Sequence, residues 1–279
     1  MSLGVLAHNY GKLPYAELAA NIGEAGFSYV QLALSKAIAD VDCGLGKLSP
    51  GLATRITEAF HRQGVSIAVL GCYVDLIELD DTAFRNNIDR FKEHIRHARY
   101  FGNAMVASET GKPKPGADLS RHWARMRSAV EEIAEEAEKW GAVVALEVAE
   151  DHLVDTPEKL AQLLDEVPSS NLGVLLDPVN LLSQERASRQ DEIVERAFEL
   201  LGSRIVHTHA KDFIMNPEGQ FQVVPAGQGQ LNYPLFIERL NQYKPLVTMT
   251  LEQVKPHEAA ASIRFLRDQF QQAAGPNVR

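Results

Sequence analysis

The chain lacks several features that would assign it to a specialised class of protein. Among its 279 residues are two cysteines, Cys43 and Cys72, too few for a disulfide framework. No apolar run approaches the roughly 20 residues needed to cross a bilayer, so we expect no membrane partner. The N-terminus lacks the basic and then apolar segments of a secretory signal. These absences favour a cytoplasmic protein.

Negatively charged residues outnumber positively charged ones in this chain. The net charge is -9, which disfavours binding to the phosphate backbone of nucleic acid. Apolar residues make up 45% and charged residues 23%, as is usual for a soluble globular enzyme. Neither a Pro- or Gly-rich linker nor a low-complexity tract divides the sequence. We therefore expect one domain over residues 1–279, and a homo-oligomer is left open.

The chain does contain a regular alternation of short apolar segments and longer amphipathic ones. The strand candidates are LGVLAH (3–8), YVQLAL (29–34), VSIAVLGC (65–72), AMVASE (104–109), AVVALEV (142–148), LGVLLD (172–177), IVHTHA (205–210) and VTMTLE (247–252). Helices are predicted over 82–101 and 156–167 from the spacing of their apolar residues, and a last helix over 259–270. Thr156 is the expected N-cap of the second of these helices, with Pro157 at its first position.

Eight strands that alternate with helices over about 250 residues predict an α/β fold, a (β/α)8 TIM barrel. The alternative is a doubly wound open sheet. It is disfavoured because no Gly-rich nucleotide motif follows the first strand. In a TIM barrel the functional residues lie at the C-terminal ends of the strands.

Four consecutive strand candidates end in a residue that can bind a metal ion: Glu147, Asp177, His209 and Glu252. Three carboxylates at one barrel mouth would repel each other, and burying them would be costly unless a cation compensated their charge. One histidine with three carboxylates favours a single Mn²⁺ or Mg²⁺ ion, with Co²⁺ or Zn²⁺ as alternatives. Residues two apart share a face of a strand, so His207 is expected as a buried support beneath His209.

The motifs ALEV, LLDPVN, HTHAKD and TLEQ at these strand ends resemble those of the xylose isomerase-like barrel superfamily. The similarity is greatest to the sugar phosphate isomerase/epimerase group, which includes ketose 3-epimerases and inosose dehydratases; AP endonucleases are more distant. The segment PAGQGQLNY resembles the Pro-x-Gly-x-Gly turn of that group. The chain departs from the group pattern at three positions: Asn180 replaces a frequent His, Gln31 a frequent Glu, and Asn232 a frequent Asp.

This resemblance implies that one divalent metal is bound by the four residues above. It also implies a metal-dependent isomerase or epimerase of a sugar, sugar phosphate or related polyol ketone. Such an enzyme moves a proton through an enediolate held at the metal, and Glu147 and Glu252 would be its base and acid. A lyase that dehydrates a polyol ketone is the alternative. A nuclease is disfavoured by the acidic charge and by the lack of further histidines at strand ends; a non-catalytic sugar-binding protein is also considered.

Five further residues at or beyond strand ends are candidates for substrate binding: Asn180, Lys211, Gln31, His8 and His152. Each has a structural alternative. Lys211 could pair with a carboxylate, His8 could be a core histidine, and His152 could belong to a loop surface. The role of the segment before the last strand is left open. Its turn at Gly227–Gly229 could bind a phosphate, or its glycines could serve only to form the turn. The whole segment could instead form a lid.

Overall fold

The computed structural model describes residues 2–273, and within that range eight parallel strands close into a barrel. The barrel strands are β1 (Leu3–Leu6), β2 (Tyr29–Leu32), β3 (Ser66–Gly71), β4 (Met105–Ser108), β5 (Val144–Glu147), β6 (Leu172–Leu176), β7 (Ile205–Ala210) and β10 (Thr248–Leu251). Two further strands, β8 (Asp212–Met215) and β9 (Phe221–Val224), lie outside the barrel sheet. The order around the barrel is β1-β10-β7-β6-β5-β4-β3-β2. Because β1 pairs with both β2 and β10, the sheet is closed and the TIM barrel prediction is confirmed.

Helices surround this barrel. They are α1 (Tyr15–Glu24), α2 (Leu34–Ala37), α3 (Pro50–Arg62), α4 (Asp81–His97), α5 (Leu119–Trp140), α6 (Pro157–Glu166), α7 (Gln190–Leu201), α8 (Tyr233–Tyr243) and α9 (Ala259–Ala273). The predicted cap of α6 is confirmed, because the Thr156 hydroxyl accepts a hydrogen bond from the Lys159 N–H. The main hydrophobic core lies between these helices and the outer face of the barrel.

The first strand is shorter than predicted. It ends at Leu6, and Ala7–Tyr10 form a 3-10 turn that carries His8. The predicted strand over 3–8 was therefore two residues too long. The side chain of His8 still lies at the C-terminal end of the barrel, because the turn directly continues the strand.

The interior of the barrel holds small and branched residues below a polar layer. Val69, Ala107, Ala145 and Leu175 form one buried cluster there. In register with this layer, His207 is fully buried, and its two ring nitrogens lie 2.6 and 2.7 Å from the hydroxyls of Thr248 and Thr250. Both ring nitrogens are thus satisfied inside the barrel, so His207 is a structural support, as predicted.

The connection between β7 and β10 contains a hairpin that the sequence pattern did not indicate. Strands β8 and β9 pair antiparallel, and Asp212 opens the hairpin. Its buried carboxylate accepts hydrogen bonds from the backbone N–H groups of Phe213, Gly227, Gly229 and Leu231. The N–H groups of the Gly227–Gly229 turn therefore face a carboxylate of the chain itself, which leaves turn chemistry, not a phosphate cradle, as the interpretation.

Neither cysteine is bonded to another, and both are buried. Within residues 2–273 no helix combines the length and apolarity that a membrane span requires. Burial raises the pKa of the Cys72 thiol to about 12, which makes it a packing residue with little thiolate at neutral pH.

Asp212→Asn is expected to destabilise the fold by about 2–4 kcal/mol, because an amide NH₂ would face donors that now share a carboxylate. Urea denaturation measures this change. Asp268→Asn on the exposed face of α9 is the matched control and should change stability by less than about 0.5 kcal/mol. Equal stability of the two variants would show that Asp212 does not organise the β7–β10 connection.

Candidate metal centre

Glu147, Asp177, His209 and Glu252 converge at the C-terminal mouth of the barrel. Each offers one ligand atom, and these four atoms all lie within 4.8 Å of one another. The convergence follows from the topology, since β5, β6, β7 and β10 are neighbours and their carboxyl ends meet on one edge. Three of the four residues are fully buried and Glu252 is partly exposed, so the group opens towards solvent on one side.

The imidazole of His209 faces the carboxylates through Nδ1. That atom lies 3.2 Å from Glu147 Oε1, 3.4 Å from Glu252 Oε2 and 3.7 Å from Asp177 Oδ2. The other ring nitrogen, Nε2, lies 2.9 Å from the side-chain oxygen of Gln31. The ring is therefore oriented by one contact on its far side and presents its second nitrogen to the acidic group.

Lys211 supplies a second buried positive charge beside this group. Its ammonium donates to Glu252 Oε2 at 3.0 Å and to Asn180 Oδ1 at 2.6 Å, and it lies 3.2 Å from Asp177 Oδ2. Lysine is rarely buried unless it is paired. Its position here explains how three carboxylates can share one small volume.

The donor set fits a divalent cation. Asp177 Oδ1 accepts hydrogen bonds from the N–H groups of Val179 and Asn180, whereas buried Oδ2 faces the Lys211 ammonium at 3.2 Å without a hydrogen bond of suitable geometry. A buried carboxylate oxygen that lacks well-oriented partners is costly. A hard cation at the centre of the four residues would satisfy it and would replace the proton on His209 Nδ1.

The ionisable groups strongly perturb each other. Burial raises the pKa of Glu147 to about 7, although His209 opposes this shift. Burial alone would lower the pKa of His209, but Glu147 and Glu252 outweigh it and raise the pKa to about 10. Burial alone would raise the pKa of Glu252, but the charges of Lys211 and His209 lower it well below its usual range. Without a metal, His209 thus holds a proton at neutral pH.

Three residues predicted to bind substrate lie next to this centre. The Asn180 amide donates to Glu147 Oε1 at 2.8 Å and accepts from Lys211, so it joins two charged groups. Gln31 is fully buried and contacts His209, as described above. Lys211, Asn180 and Gln31 therefore all point into the mouth, and their part in substrate binding stays a prediction.

The other two candidates lie further from the centre. His8 is half-buried; its Nδ1 is buried without a partner, and burial and the charge of Lys36 lower its pKa, while Glu252 opposes this. His152 accepts a hydrogen bond from the Gly111 N–H at 3.0 Å, and its Nε2 lies 3.6 Å from Glu109 Oε2. His152 therefore joins two loops beside the mouth.

Sequence reasoning missed Tyr73, which follows β3. Its hydroxyl accepts a hydrogen bond from Gln31 Nε2 at 2.8 Å, and the ammonium of Lys36 lies 3.9 Å from the centre of its ring. Burial and the charges of Glu147 and Glu252 raise the pKa of Tyr73 well above its usual value. The signal available in the sequence was its place directly after a barrel strand.

Two curated relatives match the sequence. An uncharacterised protein of Methanocaldococcus jannaschii is 26% identical over 232 residues, which cover 81% of this chain and 77% of that protein. A probable L-ribulose-5-phosphate 3-epimerase of Mycoplasma pneumoniae is 28% identical over 130 residues, which cover 47% of this chain and 40% of that protein. The chain thus matches less than half of the length of the epimerase.

Solved structures with the same fold are numerous. A D-tagatose 3-epimerase-like protein has a TM-score of 0.80 at 21% identity, with 98% of each chain covered. A D-psicose 3-epimerase from Clostridium cellulolyticum H10, solved with D-tagatose, has a TM-score of 0.75 at 16% identity, with 97% of this chain and 99% of that chain covered. An IolI protein with bound zinc has a TM-score of 0.74 at 17% identity, with 100% and 99% covered.

The sequence also matches a family model. The model for the xylose isomerase-like TIM barrel matches residues 19–269, which is most of the chain and includes all four residues of the candidate metal centre. This agrees with the closed eight-stranded barrel and with the motifs at its strand ends. The chain belongs to the xylose isomerase-like TIM barrel family.

Proposed function

We propose that the protein is a metal-dependent epimerase or isomerase of a sugar, sugar phosphate or related polyol ketone. The observation that carries this proposal is the buried Glu-Asp-His-Glu group at the mouth of the barrel. Support comes from the D-psicose 3-epimerase of the same fold, whose structure contains D-tagatose, and from the sequence relative that is a probable L-ribulose-5-phosphate 3-epimerase.

Glu147, Asp177, His209 and Glu252 would together hold one divalent ion. The bound ion would polarise a substrate carbonyl and so acidify the hydrogen on the adjacent carbon. Mn²⁺ or Mg²⁺ suits the three carboxylates best, and the IolI protein solved with a bound zinc atom supports a divalent ion in a protein of the same fold. His209 would bind through Nδ1, since its Nε2 hydrogen is donated to Gln31.

Glu147 and Glu252 would transfer the proton. They approach His209 Nδ1 from β5 and from the end of β10. In the proposed complex the substrate would meet one carboxylate on each face. One glutamate removes the hydrogen next to the carbonyl, and the other returns a hydrogen from the opposite side with inverted configuration. A positioned acid or base of this kind contributes roughly 10²–10⁴-fold to the rate.

The remaining candidates would bind the substrate itself. Asn180, Lys211 and Gln31 present polar atoms around the same opening, and His8 has a buried nitrogen without a partner. These groups suit the hydroxyls of a sugar, which need several donors and acceptors. His152 would act at the rim, through the hydrogen on Nε2, since Nδ1 is already used by Gly111.

Asp177→Ala and Asp177→Asn should each weaken Mn²⁺ binding by at least about 100-fold, because a carboxylate ligand is lost. The Asn variant retains an oxygen for the N–H groups of Val179 and Asn180 and guards against misfolding. Isothermal titration with Mn²⁺ measures the affinity, and Asp268→Asn on exposed α9 is the control. Parental Mn²⁺ affinity in both Asp177 variants would rule out the proposed centre.

Metal affinity should increase with pH. Without metal, His209 has a pKa of about 10 and Glu147 a pKa of about 7, and both must lose their protons to become ligands. Binding should therefore release about one proton near pH 8 and a larger number near pH 6. Titrations in buffers of different ionisation enthalpy count these protons. Metal binding without proton release would contradict the assignment of His209 as a ligand.

At saturating Mn²⁺, Glu147→Gln should lower turnover by about 100-fold or more, because it removes a base but keeps the side-chain shape. Turnover is measured as deuterium incorporation from D₂O into a panel of ketoses that includes D-tagatose, D-psicose and L-ribulose 5-phosphate. A product that absorbs in the ultraviolet would instead indicate the dehydrating lyase.

Glu252→Gln tests the second glutamate in the same assay, and Glu24→Gln on the exposed end of α1 is the matched control. Only the control should behave like the parental protein. Near-parental deuterium incorporation by Glu147→Gln or Glu252→Gln would show that the two-glutamate mechanism is wrong.

A further inference from the structure

The geometry points to Tyr73 as a substrate-binding residue whose hydroxyl hydrogen is directed to a sugar oxygen by the chain His209–Gln31–Tyr73. This inference rests on the proposed function and adds to it a residue after β3 that reaches the candidate metal centre through Gln31. The two hydrogen bonds of the chain, from His209 Nε2 to Gln31 and from Gln31 to Tyr73, measure 2.9 and 2.8 Å.

The direction of these hydrogen bonds is set at the metal centre. His209 Nδ1 faces the three carboxylates that would share the metal, so Nδ1 would be the ligand atom of this ring. A ligand nitrogen carries no hydrogen, and the ring hydrogen must then be on Nε2. Nε2–H then donates to Gln31, which must turn its amide oxygen towards the ring. The amide NH₂ of Gln31 consequently points the other way and donates to the hydroxyl of Tyr73.

The hydroxyl of Tyr73 therefore has its acceptor site occupied and its own hydrogen left to donate. In the part of the chain that the structure describes, the bond from Gln31 is the hydrogen bond this hydroxyl makes. The ring is only partly buried, at the mouth beside the candidate metal centre. A sugar bound there would supply the oxygen that accepts the remaining hydrogen.

The ring of Tyr73 is held in this position by two contacts. It lies close to the backbone at Gly71, where an added Cβ would lie 2.9 Å from Tyr73 Cε2. The Lys36 ammonium lies 3.9 Å from the ring centre. A hydroxyl fixed in this way can orient a substrate at little entropic cost, which is how a binding residue improves KM.

Gln31→Glu separates the two links of the chain. A carboxylate still accepts from His209 Nε2–H, so Mn²⁺ affinity should stay at least as high as in the parental protein. The same carboxylate also accepts the hydroxyl hydrogen of Tyr73, so that this hydrogen is no longer donated to the substrate. Gln31→Met removes both contacts and should weaken Mn²⁺ binding by about 10–100-fold, since it removes the partner that orients a ligand.

The experiment measures Mn²⁺ affinity by titration and KM and kcat by deuterium exchange into the ketose panel. Tyr73→Phe should leave Mn²⁺ affinity unchanged and raise KM by about tenfold, the value of one hydrogen bond to a sugar oxygen. Gln31→Glu should raise KM by a similar factor. The double variant should show the KM of either single variant, because both remove the same hydrogen bond. Tyr100→Phe, remote on the helical surface, is the control.

The outcomes separate this inference from the proposed function. Deuterium exchange by the parental protein with an unchanged KM in Tyr73→Phe overturns the inference and leaves the proposed function intact. KM effects of Gln31→Glu and Tyr73→Phe that multiply in the double variant also overturn it. If the Mn²⁺-loaded parental protein exchanges deuterium into no ketose, the proposed function fails, and the role of Tyr73 as a sugar donor fails with it.

Discussion

Mutual repulsion among three crowded carboxylates is the constraint on which the mouth of this barrel depends. Glu147 and Asp177 are buried and Glu252 is partly exposed, so water screens the three charges poorly and they could not share so small a volume without positive charge. In the protein alone, the compensation comes from Lys211 and from a proton on His209. A divalent ion in place of that proton would add one positive charge and would give Asp177 Oδ2 a further partner. The arrangement that compensates the carboxylates in the protein alone would therefore also suit a metal ion.

Contacts with neighbouring barrel residues hold the side chains of this charged group in place. His207, directly below His209, has both nitrogens satisfied by threonine hydroxyls, so the layer beneath the centre is rigid and without charge. Gln31 fixes the ring of His209 from the side, and Asn180 joins Glu147 to Lys211. Every residue of the candidate metal centre is therefore oriented by at least one further contact, which is the condition for precise geometry at a metal.

The parts of this architecture that repeat along the chain could be predicted from the sequence. Strands of one barrel share a carboxyl edge, so ligand residues at successive strand ends had to meet, and the four-residue group is where that reasoning placed it. Three sets of contacts could not be predicted from the sequence. They are the Gln31–Tyr73 hydrogen bond, the backbone hydrogen bonds accepted by the Asp212 carboxylate, and the contact of His152 with Gly111. Each depends on how two loops or strand ends lie relative to each other, and the periodicity of the sequence does not determine that arrangement.

Anomalous diffraction from crystals soaked in Mn²⁺ would test the central claim most directly. The account predicts one strong peak at the barrel mouth, about 2.0–2.2 Å from a carboxylate oxygen of Glu147, Asp177 and Glu252 and from Nδ1 of His209. Nε2 of the same ring should remain bonded to Gln31. A peak bound through Nε2, a peak elsewhere on the surface, or no peak at the mouth would contradict the account.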